Sequence, residues 1–194
     1  MERHEVARRY KPQSPIGGNV LAAVATISAR DVWAVGYHDA NGSLQTLTEH
    51  WNGSQWSIIG SPNVGSADSL YGVAAASTSD VWMADMQDLL TALHLYGVAA
   101  ASTSDVWAVG TYGSGSTLTE QWNGTKWSIV KSPSPGTRGN TLNAVTALSA
   151  SDAWAVGFYA NTLYSTQSLA EYWNGSTWSL VPSANVVAHR PSRN

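Results

Sequence analysis

The 194-residue chain contains no cysteine. That absence removes disulfides, thiolate metal sites and cysteine nucleophiles together, and it leaves the redox compartment open. Charge is scarce too, at 12% of residues against a usual share of about 25%. Six of the ten basic residues (Arg3, Arg8, Arg9, Lys11, Arg190, Arg193) lie in the terminal arms, so residues 13–187 hold four basic against eleven acidic residues, a net of −7. A nucleic-acid surface needs clustered Lys and Arg to displace counterions. This body has none, and nucleic acid is excluded as an expected partner. No run approaches the roughly 18 apolar residues of a membrane span, so no membrane insertion is expected. The opening MERHEVARRYKPQ lacks the apolar centre of a secretory signal. Either the protein stays inside the cell, or the chain is a piece of something longer, for which an extracytoplasmic setting is favoured. The parallel between RRYKPQSPIGGN and WSIVKSPSPGTRGN (127–140) favours the piece.

What the chain has instead is tryptophan, ten residues all at repeat positions. Four stand in D-x-W stretches: Trp33, Trp82, Trp107 and Trp154. Six pair up in W-N-G-x-x-W: Trp51 with Trp56, Trp122 with Trp127, and Trp173 with Trp178. The whole unit reads L-x-x-V-x-x-x-S-x-x-D-V-W-A-V-G, a variable stretch, then T-L-T-E-x-W-N-G-x-x-W-S-I-V-x-S-P. A period of about 50 residues marks propellers and solenoids, whose units cannot bury their faces alone.

Each unit divides into four short strands. The first is small and apolar and ends at a Ser/Thr-Asp corner, where the Asp is expected to cap backbone N–H groups. The second, Val-Trp-Ala-Val-Gly, is apolar on both faces, as in strands covered on both sides. The third alternates, and Asn-Gly then turns the chain into the fourth. The array is broken in the middle. LYGVAAASTSDVW occurs at 70–82 and again at 95–107, and the unit between never reaches a W-N-G-x-x-W turn. Its DMQDLLTALH segment reads as a third strand running into the next unit, or as a helical turn over Met83 to Leu93. The expected organisation is therefore a basic N-terminal arm (1–16), propeller blades over 17–186 and a C-terminal tail (187–194). The blades fall at 17–66, a partial one at 67–94, then 95–140 and 141–185.

On VWAVG…TEHWNGSQW, the chain resembles the kelch and galactose-oxidase-like propellers, over nearly all of residues 17–184. That family has a hydrophobic second strand ending in glycine, a spaced aromatic before a turn, and a Trp opening the outer strand. Its double glycine is here Val-Gly (Val35-Gly36, Val109-Gly110, Val156-Gly157). The resemblance implies an all-β fold of four-stranded blades around an axis. It does not carry over galactose oxidase's copper site, which needs a Cys-linked Tyr; no cofactor and no metal is expected.

Seven of the thirteen acids are repeat positions: Asp31, Asp80, Asp105 and Asp152 in one set, Glu49, Glu120 and Glu171 in another. An active site uses a few residues in distinct roles, so these read as turn caps and as carboxylates bonded to backbone or indole. A symmetric ligand ring at the axis is the alternative. The histidines are scattered, and no G-x-S-x-G elbow exists. Asn41, Asn52, Asn123 and Asn174 open glycosylation triplets, three of which are the hairpin turn itself. The stretches that differ between units (37–45, 111–116, 158–167, and the S-P segments) fall on one end of the blades and read as variable loops, the usual home of function. Candidate ligand-binding residues there are Tyr37, His38, Tyr112, Arg138, Tyr159 and Asn161. The reading is a non-enzymatic binding or surface-interaction module for a protein or glycan ligand. A lectin-type propeller is the alternative, and a propeller hydrolase or oxidoreductase a distant third. Trp33, Trp107 and Trp154 are expected to be buried between blades, and unpaired blade edges to drive self-association.

Overall fold

A computed structural model of the chain describes residues 18–61, 63, 68–77, 79–85, 93–163 and 165–185; both terminal arms lie outside these. The fold is all-β, and the described residues form fourteen strands in four antiparallel sheets. The first sheet holds β1 (Asn19–Ser28), β2 (Asp31–Ala40), β3 (Ser43–Trp51) and β4 (Trp56–Ile59). The second, among the described residues, holds β5 (Leu70–Ser77) and β6 (Asp80–Asp85). The third holds β7 (Leu93–Ser102), β8 (Asp105–Tyr112), β9 (Ser116–Trp122) and β10 (Trp127–Ile129). The fourth holds β11 (Gly139–Ser149), β12 (Asp152–Thr162), β13 (Ser165–Trp173) and β14 (Trp178–Leu180). Each full sheet runs up and down in chain order. The first strands stand side by side around the centre, β1 against β5, β5 against β7 and β7 against β11. Among the described residues this is a propeller array of three four-stranded sheets and one two-stranded sheet. Among the described residues β11 does not come round to pack on β1 in the same way.

A helical turn from Met83 is ruled out at both ends, because Met83 to Asp85 finish β6 and Leu93 opens β7. The segment 86–92 lies outside the described residues. The third sheet starts two residues before the LYGV repeat, since Leu93 and His94 pair with Tyr112 and Thr111.

Each first strand carries an irregularity after its leading Leu, between Leu21 and Ala23, Leu70 and Gly72, Leu95 and Gly97, and Leu142 and Ala144. The glycine closing VWAVG belongs to this feature. A Cβ on Gly36, Gly110 or Gly157 would meet a backbone oxygen of the first strand at 1.9, 1.7 or 1.9 Å, so only glycine allows the two backbones to approach.

The Asn-Gly turns lie where the sequence places them, but most are of another type. Trp51 pairs with Trp56 across a four-residue loop. Asn52 Oδ1 accepts from the N–H of Ser54 and of Gln55, both at 3.0 Å. Asn123 and Asn174 repeat this bonding, so the turn accounts for these asparagines. The tight two-residue turn is Asn41-Gly42, with φ of 58° and 87°, as a type I′ hairpin requires. Across each W-N-G-x-x-W turn the paired rings sit 5.9 Å apart. The first indole of each pair donates to the opposite corner: Trp51 to Ala29 O, Trp122 to Thr103 O and Trp173 to Ala150 O.

The corner itself departs from expectation. Serine caps it: Ser28, Ser77, Ser102 and Ser149 Oγ each accept the backbone N–H two residues on, at 3.2–3.3 Å. The aspartates look elsewhere. Asp31 Oδ1 meets His50 Nε2 at 2.8 Å, and Asp105 Oδ1 accepts from Gln121 Nε2 at 2.9 Å. Asp80 accepts from Ser77 Oγ, while Asp152 Oδ1 is buried without a partner among the described residues.

The main core lies between the third and fourth sheets, around Trp107, Val109, Leu142, Leu169, Trp173 and Trp178. A smaller one joins the first sheet to the second through Val35, Leu70 and Val73. Of the three tryptophans expected to be buried, only Trp107 is, at 0% exposure; Trp33 is half-buried and Trp154 is 38% exposed. The reason is positional. Trp107 inserts between Trp173 and Trp178 of the following sheet, 4.9 and 5.0 Å from their centres. Trp33 is followed by a sheet without that pair, and no described sheet follows Trp154. Each leans on a ring of its own sheet instead, Trp33 on His50 at 4.4 Å and Trp154 on Tyr172 at 4.9 Å.

Candidate functional site

Antiparallel order brings the β2–β3 type hairpins and the links between sheets to one end. Asp68 N donates to Leu44 O, Asn140 N to Gly115 O, and Thr137 N to Asn161 Oδ1 at 3.0 Å. The supposed loops there are largely strand. Tyr37 and His38 lie on β2, Tyr112 ends β8, and Tyr159 and Asn161 lie on β12; Arg138 alone sits in a link, before β11. The strands extend because the turns joining them are tight, as at Asn41-Gly42, where Ala40 pairs directly with Ser43.

These six residues do not converge on one pocket. Asn161 holds the incoming link through Thr137, and Arg138 N bonds Ala160 O. Tyr159 OH donates to Gln167 Oε1. Tyr159 also lines a hollow of about 270 Å³ with Pro135, Leu180, Pro182 and Asn185. Tyr112 is 42% exposed beside Leu93.

Tyr37 belongs to a different grouping. Its ring lies 6.3 Å from Tyr71, Tyr71 lies 6.4 Å from Tyr96, and Tyr96 lies 6.5 Å from His94. The four rings are half-buried and come from three sheets. Tyr71 and Tyr96 occupy the extra position of the first-strand irregularity, next to the centre of the array. The equivalent residues are Ala22 in the first sheet and Asn143 in the fourth. The aromatic row is thus a local departure from the repeat. Sequence reading passed over Tyr71 and Tyr96 because they looked like part of the duplicated LYGVAAAS. The available signal was that the first and last units carry Ala and Asn where these two carry Tyr.

The glutamate set also differs by blade. Glu171 shares a face of β13 with Leu169 and Trp173, toward the third sheet. Neither of its oxygens has a hydrogen-bond partner among the described residues, and burial pushes its pKa up to about 8. The expected bond to backbone or indole is not made. Glu120, at the same repeat position, faces a hollow of about 500 Å³ beside Val81, Met83 and Trp127, and burial raises its pKa too. Among the described residues no three His, Cys, Asp or Glu side chains stand close enough to hold a metal ion. The galactose-oxidase copper centre does not fit this chain, whose sequence lacks the required cysteine.

No protein-family model matches the chain, and no curated protein matches it. Among solved structures, a similar chain is described as "YCF48 bound to D1 peptide", with 14% identity and a TM-score of 0.38 over 87% of this chain and 42% of that one. The chain therefore spans less than half the length of that structure.

Proposed function

We propose that the protein is a non-enzymatic binding module, kelch-like in its blade plan, whose contact surface is the row Tyr37–Tyr71–Tyr96–His94. The observation behind this reading is the row itself, half-open aromatic rings drawn from three sheets onto the variable end. A rigid scaffold with aromatic anchors suits recognition, because tyrosine offers a large ring with little rotamer freedom to lose. A catalytic reading has weaker support, since the carboxylates recur once per blade and do not gather in distinct roles. The occupant we favour is an extended peptide; a sugar ring stacked on the open tyrosine faces is the second reading.

Binding of the full chain to a glycan array and to a displayed peptide library tests both. Peptide hits lost in a Tyr71→Ala/Tyr96→Ala double variant are the expected result. Glycan hits lost in the same variant would move the reading to the lectin. Ligands bound equally by wild type and double variant would overturn the assignment of the row.

A further inference from the structure

We propose that the outer edge of β6 receives an extended peptide strand from another protein, antiparallel to β6 and alternating apolar with basic residues. In the first, third and fourth sheets the second strand pairs with a third along its length: Trp33 with His50, Trp107 with Gln121 and Trp154 with Tyr172. The equivalent tryptophan of the second sheet, Trp82, lies on β6, which among the described residues pairs with β5 alone. Residues 86–92 separate β6 from β7, whereas residues 41–69, holding two more strands, separate β2 from β5. The second unit is thus short by the length of a strand pair. An unpaired edge offers a row of N–H and C=O groups on which another chain can add a strand.

The space beside that edge is open. A hollow of about 500 Å³ lies there, lined by Val81, Trp82 and Met83 of β6 and by Val98, Glu120 and Trp127 of the third sheet. In the complete junction the positions of Trp82, Glu120 and Trp127 are those of Trp107, Glu171 and Trp178, all buried, with Trp107 packed 5.0 Å from Trp178. On the other side of the β6 edge, Trp33 of the first sheet is half-buried where Trp107 is enclosed by the outer strands of the sheet that follows it. A strand laid on β6 would cover two open faces at once, Glu120 and Trp127 on one side and Trp33 on the other.

Pleating sends successive side chains to opposite faces, which dictates the pattern of the peptide. Val81 and Met83 pack with Trp33 toward the first sheet, so the peptide residues on that face should be apolar. The intervening residues fall on the Trp82 side, toward Glu120. Among the described residues only His50 and Asp31 come within ion-pair distance, which leaves the Glu120 carboxylate without a counter-charge. A lysine or arginine facing Glu120 supplies one. Trp82 and Trp127 line the same hollow and suit a cation carried on an alkyl stem. The hollow shares no lining residue with the tyrosine row, so this surface does not rest on that reading.

Tryptophan fluorescence of the full chain tests it, titrated with a short end-blocked peptide that alternates valine and lysine. Saturable binding is expected, and Glu120→Lys should weaken it about tenfold or more by setting like charges together. Glu120→Gln, which removes the charge at little change in shape, should weaken it by a smaller factor; a thermal melt of each variant confirms folding. A peptide of the same composition with its valines and lysines in separate blocks should bind about tenfold more weakly, because no register then matches both faces. Methylation of backbone nitrogens at alternate residues reads the pairing directly. One alternate set should abolish binding and the other should leave it, since only one edge of the added strand faces β6. The Tyr71→Ala/Tyr96→Ala variant should bind this peptide as wild type does, which separates failure here from failure of the tyrosine row. Absence of saturable binding overturns the proposal, as do equal affinities for the alternating and blocked peptides. Equal losses from the two methylated sets, or a Glu120→Lys chain that binds as tightly as wild type, overturn it as well. Self-association in sedimentation that the peptide does not reverse would give the edge to a second copy and overturn it too.

Discussion

The junction between the third and fourth sheets and the junction between the second and third are written in nearly the same sequence and come out differently. In the first, Trp107 is enclosed by Trp173 and Trp178 and Glu171 is buried beneath them. In the second, Trp82 is half-buried, Trp127 is 38% exposed, and Glu120 borders an open hollow. LYGVAAASTSDVW is identical in the two sheets that carry these tryptophans. What differs is the blade behind each one. Among the described residues the second sheet has no outer strands to cover its neighbour. Each unit therefore encodes half of an interface, and burial is supplied by whatever stands next to it.

The largest expected effect follows from that. Trp107→Ala empties the centre of the complete junction and should cost about 3–5 kcal/mol. Trp154→Ala, at an equivalent position on an open face, should cost about 1 kcal/mol or less in a monomeric state. Trp33→Ala should fall between. Urea midpoints measured at low chain concentration would show the series, and equal losses at all three sites would break the comparison.

This gradient explains what could be read from the sequence. Strand count, hairpins and the Trp51–Trp56 type pairs were legible because they depend on residues within a few positions of one another. The burial of Trp154 was misjudged because it depends on a neighbouring blade, which the residue's own unit does not contain. The corner aspartates were misassigned for a similar reason. The corner is capped by a serine three positions earlier, which takes the N–H just before the aspartate, and His50 or Gln121 draws the carboxylate of Asp31 or Asp105 across the sheet. The tyrosine row was hidden because Tyr71 and Tyr96 are forty or more residues from the repeats in which Ala22 and Asn143 replace them. The six candidate residues were chosen as loop residues, and the tight turns put five of them on strands.

Glu171 sharpens the same contrast through pH. An unfolded glutamate titrates near 4.5, and the folded group near 8. Between those values the folded chain holds a proton that the unfolded chain has released, so stability falls as pH rises through the window. Below it the carboxyl is neutral in both states and carries no penalty; above about 8 the penalty is complete. Melting curves from pH 5 to 9 should therefore drop in wild type. Glu171→Gln should flatten the profile and exceed wild type at the alkaline end. Glu120→Gln should change the profile less, because that group faces the open hollow. A wild-type profile as flat as that of Glu171→Gln would mean that the carboxylate is stabilised in place.

The smallest effect is expected where neighbours do not matter. Asn52, Asn123 and Asn174 each accept the backbone N–H groups two and three residues on, in exposed turns of the same form. The turn glycines that follow have φ of 94°, 91° and 92°, so the three loops are conformational copies. Replacing a side-chain cap of this kind by Ala typically costs about 1 kcal/mol. The bonds are local, and the loss should be nearly equal at the three sites, whether the blade has a complete junction, a stunted neighbour or an open face. Three single Asn→Ala variants compared by urea denaturation would measure it. A spread as wide as that of the tryptophan series would show that the turns also draw on the adjacent blade, and that the division between local turns and borrowed burial does not hold.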